Sequence, residues 1–246
     1  MKIGIIGAGS IGAILARRLA RAGHEVKIAN SRAPETVPPA ALTTGATAVW
    51  AAVATEGADV VITSVGMSRI PDVALLVAKA SPAAVIIDTG NYHPPRDGVI
   101  DALVEGRTVE SLWVQEQYGR PIIKAWNTIT DVSFAEKTSE PGATGRIALP
   151  VAGDDDVARA LVMDLVESTG FEAFDAGGLT ESWRQQPGTP VYMTDLTATE
   201  LSAALARADA SRSWRRRDLL WAVWSERMEV EGDTPERLLA LARAVF

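Results

Sequence analysis

The chain has no cysteine, two histidines and only five lysines among 246 residues. Without cysteine there is no disulfide framework, no thiol nucleophile and no thiolate zinc site, and His24 and His93 alone offer little to any other metal. No metal is expected. The lysines stand at 2, 27, 79, 124 and 137, so none follows residue 137, and the catalytic lysine of β-hydroxyacid dehydrogenases is missing. Four residues after Tyr92, Tyr118 and Tyr192 come Arg96, Ile122 and Leu196, so there is no Tyr-x-x-x-Lys pair. That excludes the short-chain dehydrogenase arrangement, in which lysine lowers the pKa of an acid tyrosine.

Positive charge is also scarce. Lys plus Arg is 24 against 31 for Asp plus Glu, a net charge of -7, which argues against a nucleic-acid or anionic-membrane surface and leaves a small molecule as the expected partner. Long hydrophobic runs are absent. Residues 36 to 55 carry no charge, but Pro38, Pro39, Gly45 and several threonines make a membrane span a poor reading. The opening apolar stretch is broken by glycines and followed by Arg17 and Arg18, unlike a signal peptide, so a cytoplasmic protein is expected. With 47% apolar residues, the chain can bury a full core.

What is present begins at the first residues. The apolar run Lys2-Ile3-Gly4-Ile5-Ile6 leads into Gly7-Ala8-Gly9-Ser10-Ile11-Gly12, a G-x-G-x-x-G. Gly7 permits a tight turn out of a strand, Gly9 lets a phosphate approach the backbone, and Gly12 lets the next helix pack against the strand. Ile11, Leu15 and Leu19 then recur as one helix face, which gives the motif the strand–turn–helix context it needs. Gly7, Gly9, Ser10, Ile11 and Gly12 are therefore candidates for holding a dinucleotide pyrophosphate.

The second strand, Glu25 to Asn30, ends without the acid that would bind the ribose 2′-hydroxyl of NAD. Asn30, Ser31 and Arg32 stand there instead and suit a dianionic 2′-phosphate, with Thr36 as a further donor, so the cofactor is read as NADP(H).

Further strands are expected near Thr47 to Val49, Asp59 to Val65, Ala84 to Thr89, Pro121 to Trp126, Arg146 to Ala152 and Phe171 to Asp175. Their continuous apolar runs suit strands covered on both faces. The expected fold is α/β, a Rossmann doubly wound, mostly parallel sheet over residues 1–179, with a small helical extension over 180–246. Asp154-Asp155-Asp156, ahead of Val157, Leu161 and Leu165, reads as a helix N-terminus.

Ligands in such sheets lie beyond the carboxyl ends of the strands. Val65 and Gly66, Asn91, and Asn127 follow the fourth, fifth and sixth strands as cofactor candidates, Asn91 and Asn127 reaching the nicotinamide half. Asparagine as a turn former is the bland reading of both. Met67, Tyr92, His93 and Trp183 are candidates for the substrate side, and His93 and Asn127 for catalysis. Pro94 and Pro95 fit an ordinary surface turn at His93 equally well. Acid–base candidates are few, which favours a conjugated ring acceptor that carries its own electronics.

Several segments resemble the coenzyme F420-dependent NADP oxidoreductases: Gly23-His24-Glu25-Val26 into Ala29-Asn30-Ser31-Arg32, then Lys124-Ala125-Trp126-Asn127-Thr128-Ile129, then Ala148 to Asp154, and finally Glu181 to Gln185 with Pro187 to Tyr192. The resemblance covers about residues 1 to 209. It implies NADP at the glycine loop, Ser31 and Arg32, Asn127 near the nicotinamide, and hydride exchange with a deazaflavin. Gly66-Met67-Ser68-Arg69 and Gly90-Asn91-Tyr92-His93 depart from the family's pattern on the substrate side.

Residues 210 to 246 lie outside it. Trp214, Trp221, Trp224 and Met228 share a helix face beside Arg212, Arg215, Arg216 and Arg217. The stripe reads as packing onto the sheet domain or onto a second copy in a homodimer, or as a lid or substrate wall.

The expected activity is hydride transfer between NADP(H) and a conjugated acceptor such as coenzyme F420 or a flavin. The alternatives are reduction of a small carbonyl or imine, and a non-catalytic NADP(H) sensor. Arg32→Ala should weaken NADPH binding far more than NADH binding in parallel titrations; equal losses would remove this account of selectivity.

Overall fold

A computed structural model describes residues 1–231 and 234–246. The chain alternates strand and helix: β1 (Lys2–Ile6), α1 (Ser10–Arg21), β2 (Glu25–Ala29), β3 (Thr47–Ala48), α2 (Ala51–Ala54), β4 (Val60–Thr63), α3 (Ile70–Val77), β5 (Val85–Asp88), α4 (Pro94–Asp97), α5 (Glu110–Tyr118), β6 (Ile123–Lys124), α6 (Asp131–Glu136), β7 (Ala148–Val151), α7 (Asp156–Ser168) and β8 (Glu172–Asp175). A 3-10 segment at Leu179–Gln185 then leads to α8 (Ala198–Ala206), α9 (Ala210–Glu231) and α10 (Pro235–Val245).

β1 to β6 form one parallel sheet in the order β3-β2-β1-β4-β5-β6, the doubly wound arrangement expected from the apolar runs. Successive strand residues point to opposite faces, and both faces are covered. Ile5, Ile28, Ile62 and Ile87 join Leu15 and Leu19 of α1 in one core cluster. Ile6, Val61 and Ile86 join Val73 and Val77 of α3 and Trp113 of α5 in another.

All eight expected strands are present, but they do not make one sheet. β7 and β8 pair separately and meet the large sheet through a single antiparallel bridge, Lys124 to Ala152. The strand expected from Pro121 to Trp126 contracts to Ile123–Lys124. Pro121 has no N–H to give a ladder, and Trp126 turns the chain with a left-handed φ of 55°. Asp155 caps α7 by accepting from the amides of Val157 and Ala158 at 2.9 and 3.0 Å, the role read for that acidic run.

The C-terminal helices are knitted to the sheet. A Cβ on Gly188 would lie 1.8 Å from the carbonyl oxygen of Ser213, so only glycine lets α9 come this close. Arg217 of α9 is buried, its guanidinium 5.1 Å from the centre of the Tyr92 ring, whereas its neighbours Arg212 and Arg215 are exposed. No helix among the described residues is long and apolar enough to cross a membrane.

Candidate active site

A crevice of about 400 Å³ opens beyond the carboxyl ends of the parallel strands. Its floor and one side come from four strand ends: Gly9, Ser10 and Ile11 after β1, Val65 and Gly66 after β4, Asn91 and His93 after β5, and Trp126 and Asn127 after β6. β1 and β4 are the neighbours at which the winding reverses, the place where open α/β sheets bind ligands.

The glycine loop fits a dinucleotide by its geometry. Gly7 has φ 112°, and a Cβ there would sit 2.1 Å from the Ser64 carbonyl oxygen. A Cβ on Gly12 would meet the Gly7 carbonyl oxygen at 1.9 Å, so the start of α1 lies directly on the turn. Gly9 differs, since its absent Cβ faces open space, the room a phosphate needs. The first turn of α1 has no side-chain cap and no acidic residue, so its amides remain available to an anion.

Beside this loop, Gly7 N donates to Ala29 O at 2.8 Å and so fixes the end of β2 against it. Asn30 accepts from the Arg32 amide at 2.8 Å and donates to Thr36 Oγ1 at 2.8 Å, and Thr36 donates to Ala33 O at 2.7 Å. Asn30 and Thr36 therefore shape the turn. Ser31 and Arg32 project from it exposed.

At the other end of the crevice the two asparagines are coupled. Asn91 Nδ2 donates to Asn127 O at 2.8 Å, and Asn127 Nδ2 donates to Asn91 Oδ1 at 3.0 Å and to Gln185 O at 2.8 Å. Gln185 Nε2 in turn donates to Asn127 Oδ1 at 3.0 Å. The amide of Asn127 is thus fully engaged within the protein, and it orients Asn91, which keeps one N–H in hand. Arg96 borders the same space, held by Asp97 at 2.8 Å and by Asn91 O.

Four residues expected on the substrate side separate. His93 lines the crevice. Met67 and Tyr92 do not: both are fully buried in the core, where the Tyr92 hydroxyl donates to Gly98 O at 3.0 Å. Trp183 lies outside the lining, under the Arg184 guanidinium at 4.4 Å. Sequence reasoning missed Arg96, Gln185, Tyr192, Met193 and Leu238, all at or beside the crevice, and left Trp224 as one of a stripe.

His93 is not a surface-turn histidine. It is buried, Nε2 pairs with the Tyr192 hydroxyl at 3.0 Å, and its ring lies 4.9 Å from that of Trp221. Burial first, then the nearby charges of Arg96 and Arg217, push its pKa down to about 3, so it is neutral at ordinary pH. Burial likewise raises the Tyr192 phenol, which stays protonated.

Beneath the loop, Glu110 accepts from the Tyr92 amide at 3.1 Å, and burial pushes its carboxyl up to about 7 against the pull of Lys124 and Arg217. The two shifts act oppositely on stability. From an ordinary value of 4.5 up to about 7, the folded chain keeps a proton on Glu110 that the unfolded chain has released, so stability falls as pH rises. From about 3 to the ordinary 6.5, the unfolded chain binds a proton on His93 that the folded chain excludes, so stability rises. Each slope is at most about 1.4 kcal/mol per pH unit, and the two oppose each other between about pH 4.5 and 6.5. Glu110→Gln should therefore tilt stability upward with pH across that window, and His93→Asn should tilt it downward. Urea unfolding at about pH 5 and about pH 6 measures both; parallel behaviour of the three proteins would contradict the assignment.

Comparison with known proteins bears on the same site. The family model for NADP oxidoreductase, coenzyme F420-dependent, matches residues 2–92, which run from β1 to the crevice loop after β5. The Escherichia coli (strain K12) protein YjhV is 38% identical over 94 residues, and the match spans 38% of this chain and 66% of that protein, just under two thirds of its length. The crystal structure of the hypothetical protein SMa0349 from Sinorhizobium meliloti is similar at 31% identity and a TM-score of 0.66, covering 78% of this chain and 93% of that one. A candidate F420-dependent NADP reductase from Arthrobacter sp. FB24 is similar in fold, with 22% identity, a TM-score of 0.59, and coverage of 74% of this chain and 87% of that one. The chain belongs to the coenzyme F420-dependent NADP oxidoreductase family, a family of NADP-dependent oxidoreductases.

Proposed function

We propose that the protein transfers a hydride between NADP(H) and a planar conjugated acceptor, a deazaflavin or flavin. The observation that carries this reading is the set of large side chains that line the crevice together with the glycine loop. Trp126, Tyr192, Met193, Trp224 and Leu238 form a broad aromatic and apolar wall beside the polar Arg96, Thr130 and Asp131, and the one histidine there is neutral and already paired. Such a wall can hold a ring and exclude water but offers little general-acid chemistry. A deazaflavin or flavin needs little, since the ring itself accepts the hydride.

The protein's own residues would divide the work. The backbone of Gly7 to Gly12 and the first turn of α1 hold the pyrophosphate, and Ser31 and Arg32 receive the 2′-phosphate. Asn91, oriented by Asn127 and Gln185, offers an amide to the nicotinamide carboxamide or its ribose. NADPH supplies the hydride.

Reduction of a small carbonyl or imine is the second reading. It is favoured by the Tyr192 hydroxyl, a protonated donor that lines the crevice with His93 against it at 3.0 Å. Steady-state NADPH oxidation with a panel of acceptors separates the two. Under the first reading, deazaflavin or flavin turnover exceeds that with any carbonyl or imine, and Tyr192→Phe keeps most of it. A rate confined to carbonyls or imines and lost in Tyr192→Phe would install the second reading.

A further inference from the structure

The α9–α10 pair follows the part of the chain that resembles the family, yet it reaches the crevice. Trp224 of α9 and Leu238 of α10 line the crevice. They also line a second, apolar cavity of about 50 Å³ that shares His93, Tyr192 and Met193 with it. Trp224 is thus a common wall of the two spaces, and it is only half-buried, so it presents surface to a ligand.

Its position is braced from behind. The rings of Trp221 and Trp224 meet edge to face at 5.5 Å and 78°, and Trp221 lies 4.9 Å from His93, which is tied to Tyr192. A surface tryptophan on a solvated helix would have no such backing. Here the indole lines the same crevice as the glycine loop, Asn91 and Asn127, so a hydride acceptor that meets NADP(H) in this space has the indole as one of its walls.

We propose that Trp224 is the surface against which the ring of the acceptor packs, so that α9 and α10 decide which acceptors enter. This rests on the hydride-transfer reading above. Indole favours a flat conjugated partner because offset and edge-on ring contacts add to simple burial of area. The remaining tryptophan of the stripe has another role: Trp214 faces Gly106, with the Arg215 guanidinium 4.9 Å from its ring.

The test is binding, kept apart from turnover. NADP⁺-loaded protein is titrated into riboflavin, and quenching of riboflavin fluorescence is followed. Wild type should bind, Trp224→Phe should bind within about threefold of it, and Trp224→Ala and Trp224→Leu should bind at least about tenfold more weakly. Trp214→Phe should bind as wild type, and NADPH affinity and the melting temperature should be unchanged in Trp224→Leu, which retains apolar bulk without a ring. Equal riboflavin binding by wild type and the Trp224 variants would overturn the proposal. So would no binding by wild type, or a parallel loss of NADPH and riboflavin. Ring binding without NADPH oxidation would set aside hydride transfer to flavins and leave the packing surface standing. Oxidation that is indifferent to Trp224→Leu would do the reverse.

Discussion

The ion pair between Asp88 and Lys124, 2.6 Å apart with both side chains fully buried, is the contact on which the site depends. Asp88 ends β5 and Lys124 ends β6, so the pair locks two neighbouring strand ends at the place where the crevice opens. Both partners also grip the next loop: Asp88 accepts from the Gly90 amide at 3.0 Å, and Lys124 Nζ donates to Gly90 O. The Lys124 backbone exchanges hydrogen bonds of 2.8 and 3.0 Å with Ala152, which is how the small sheet is held to the large one. Removing one partner of such a pair leaves an uncompensated buried charge, at a cost of about 3–5 kcal/mol. The ion pair therefore aims the Gly90 to His93 loop, and the backbone of the same lysine joins the two sheets.

From that anchor the rest of the crevice is positioned by polar contacts that cross between distant segments. The chain of amides through Asn91, Asn127 and Gln185 ties the ends of β5 and β6 to the C-terminal third of the sequence. Met193 donates its amide to Thr128 O at 2.7 Å, and both Trp126 and Met193 hold left-handed backbones without being glycine. Strained residues of this kind persist where the surroundings over-determine them, and they gather at functional sites. Here both line the crevice.

What the sequence made legible was local. The glycine loop, the eight strands and the Asp155 cap are each specified by residues within a few positions of one another, and the structure forms each of them, although β6 is shorter than read and β7 and β8 make a sheet of their own. The substrate side was not legible, because residues after a strand alternate between crevice and core, and no neighbour in sequence says which way each one turns. Met67 and Tyr92 turned inward, while His93 turned toward the crevice. Gln185, Tyr192 and Trp224 reach the site only through long-range packing. Lys124 and Asp88 did carry a readable signal: opposite charges inside two apolar runs on adjacent strands, which burial alone would forbid unless they were paired. Arg217 gave no such sign among the clustered arginines of α9, and its burial against the Tyr92 ring is what distinguishes it.

Direct passage of a hydride from NADPH to a ring packed in the crevice is tested by the fate of the hydrogen at C4 of the nicotinamide. Isotopic tracing reaches it most directly: anaerobic protein is mixed with NADPH deuterated at one face of C4 and with an oxidised deazaflavin, whose C5 retains a transferred hydride as a carbon-bound atom. Direct transfer gives rapid bleaching of the deazaflavin and deuterium at C5 from one of the two labelled faces only. Bleaching with solvent hydrogen at C5 from either label, or no bleaching while NADPH is bound, would contradict it.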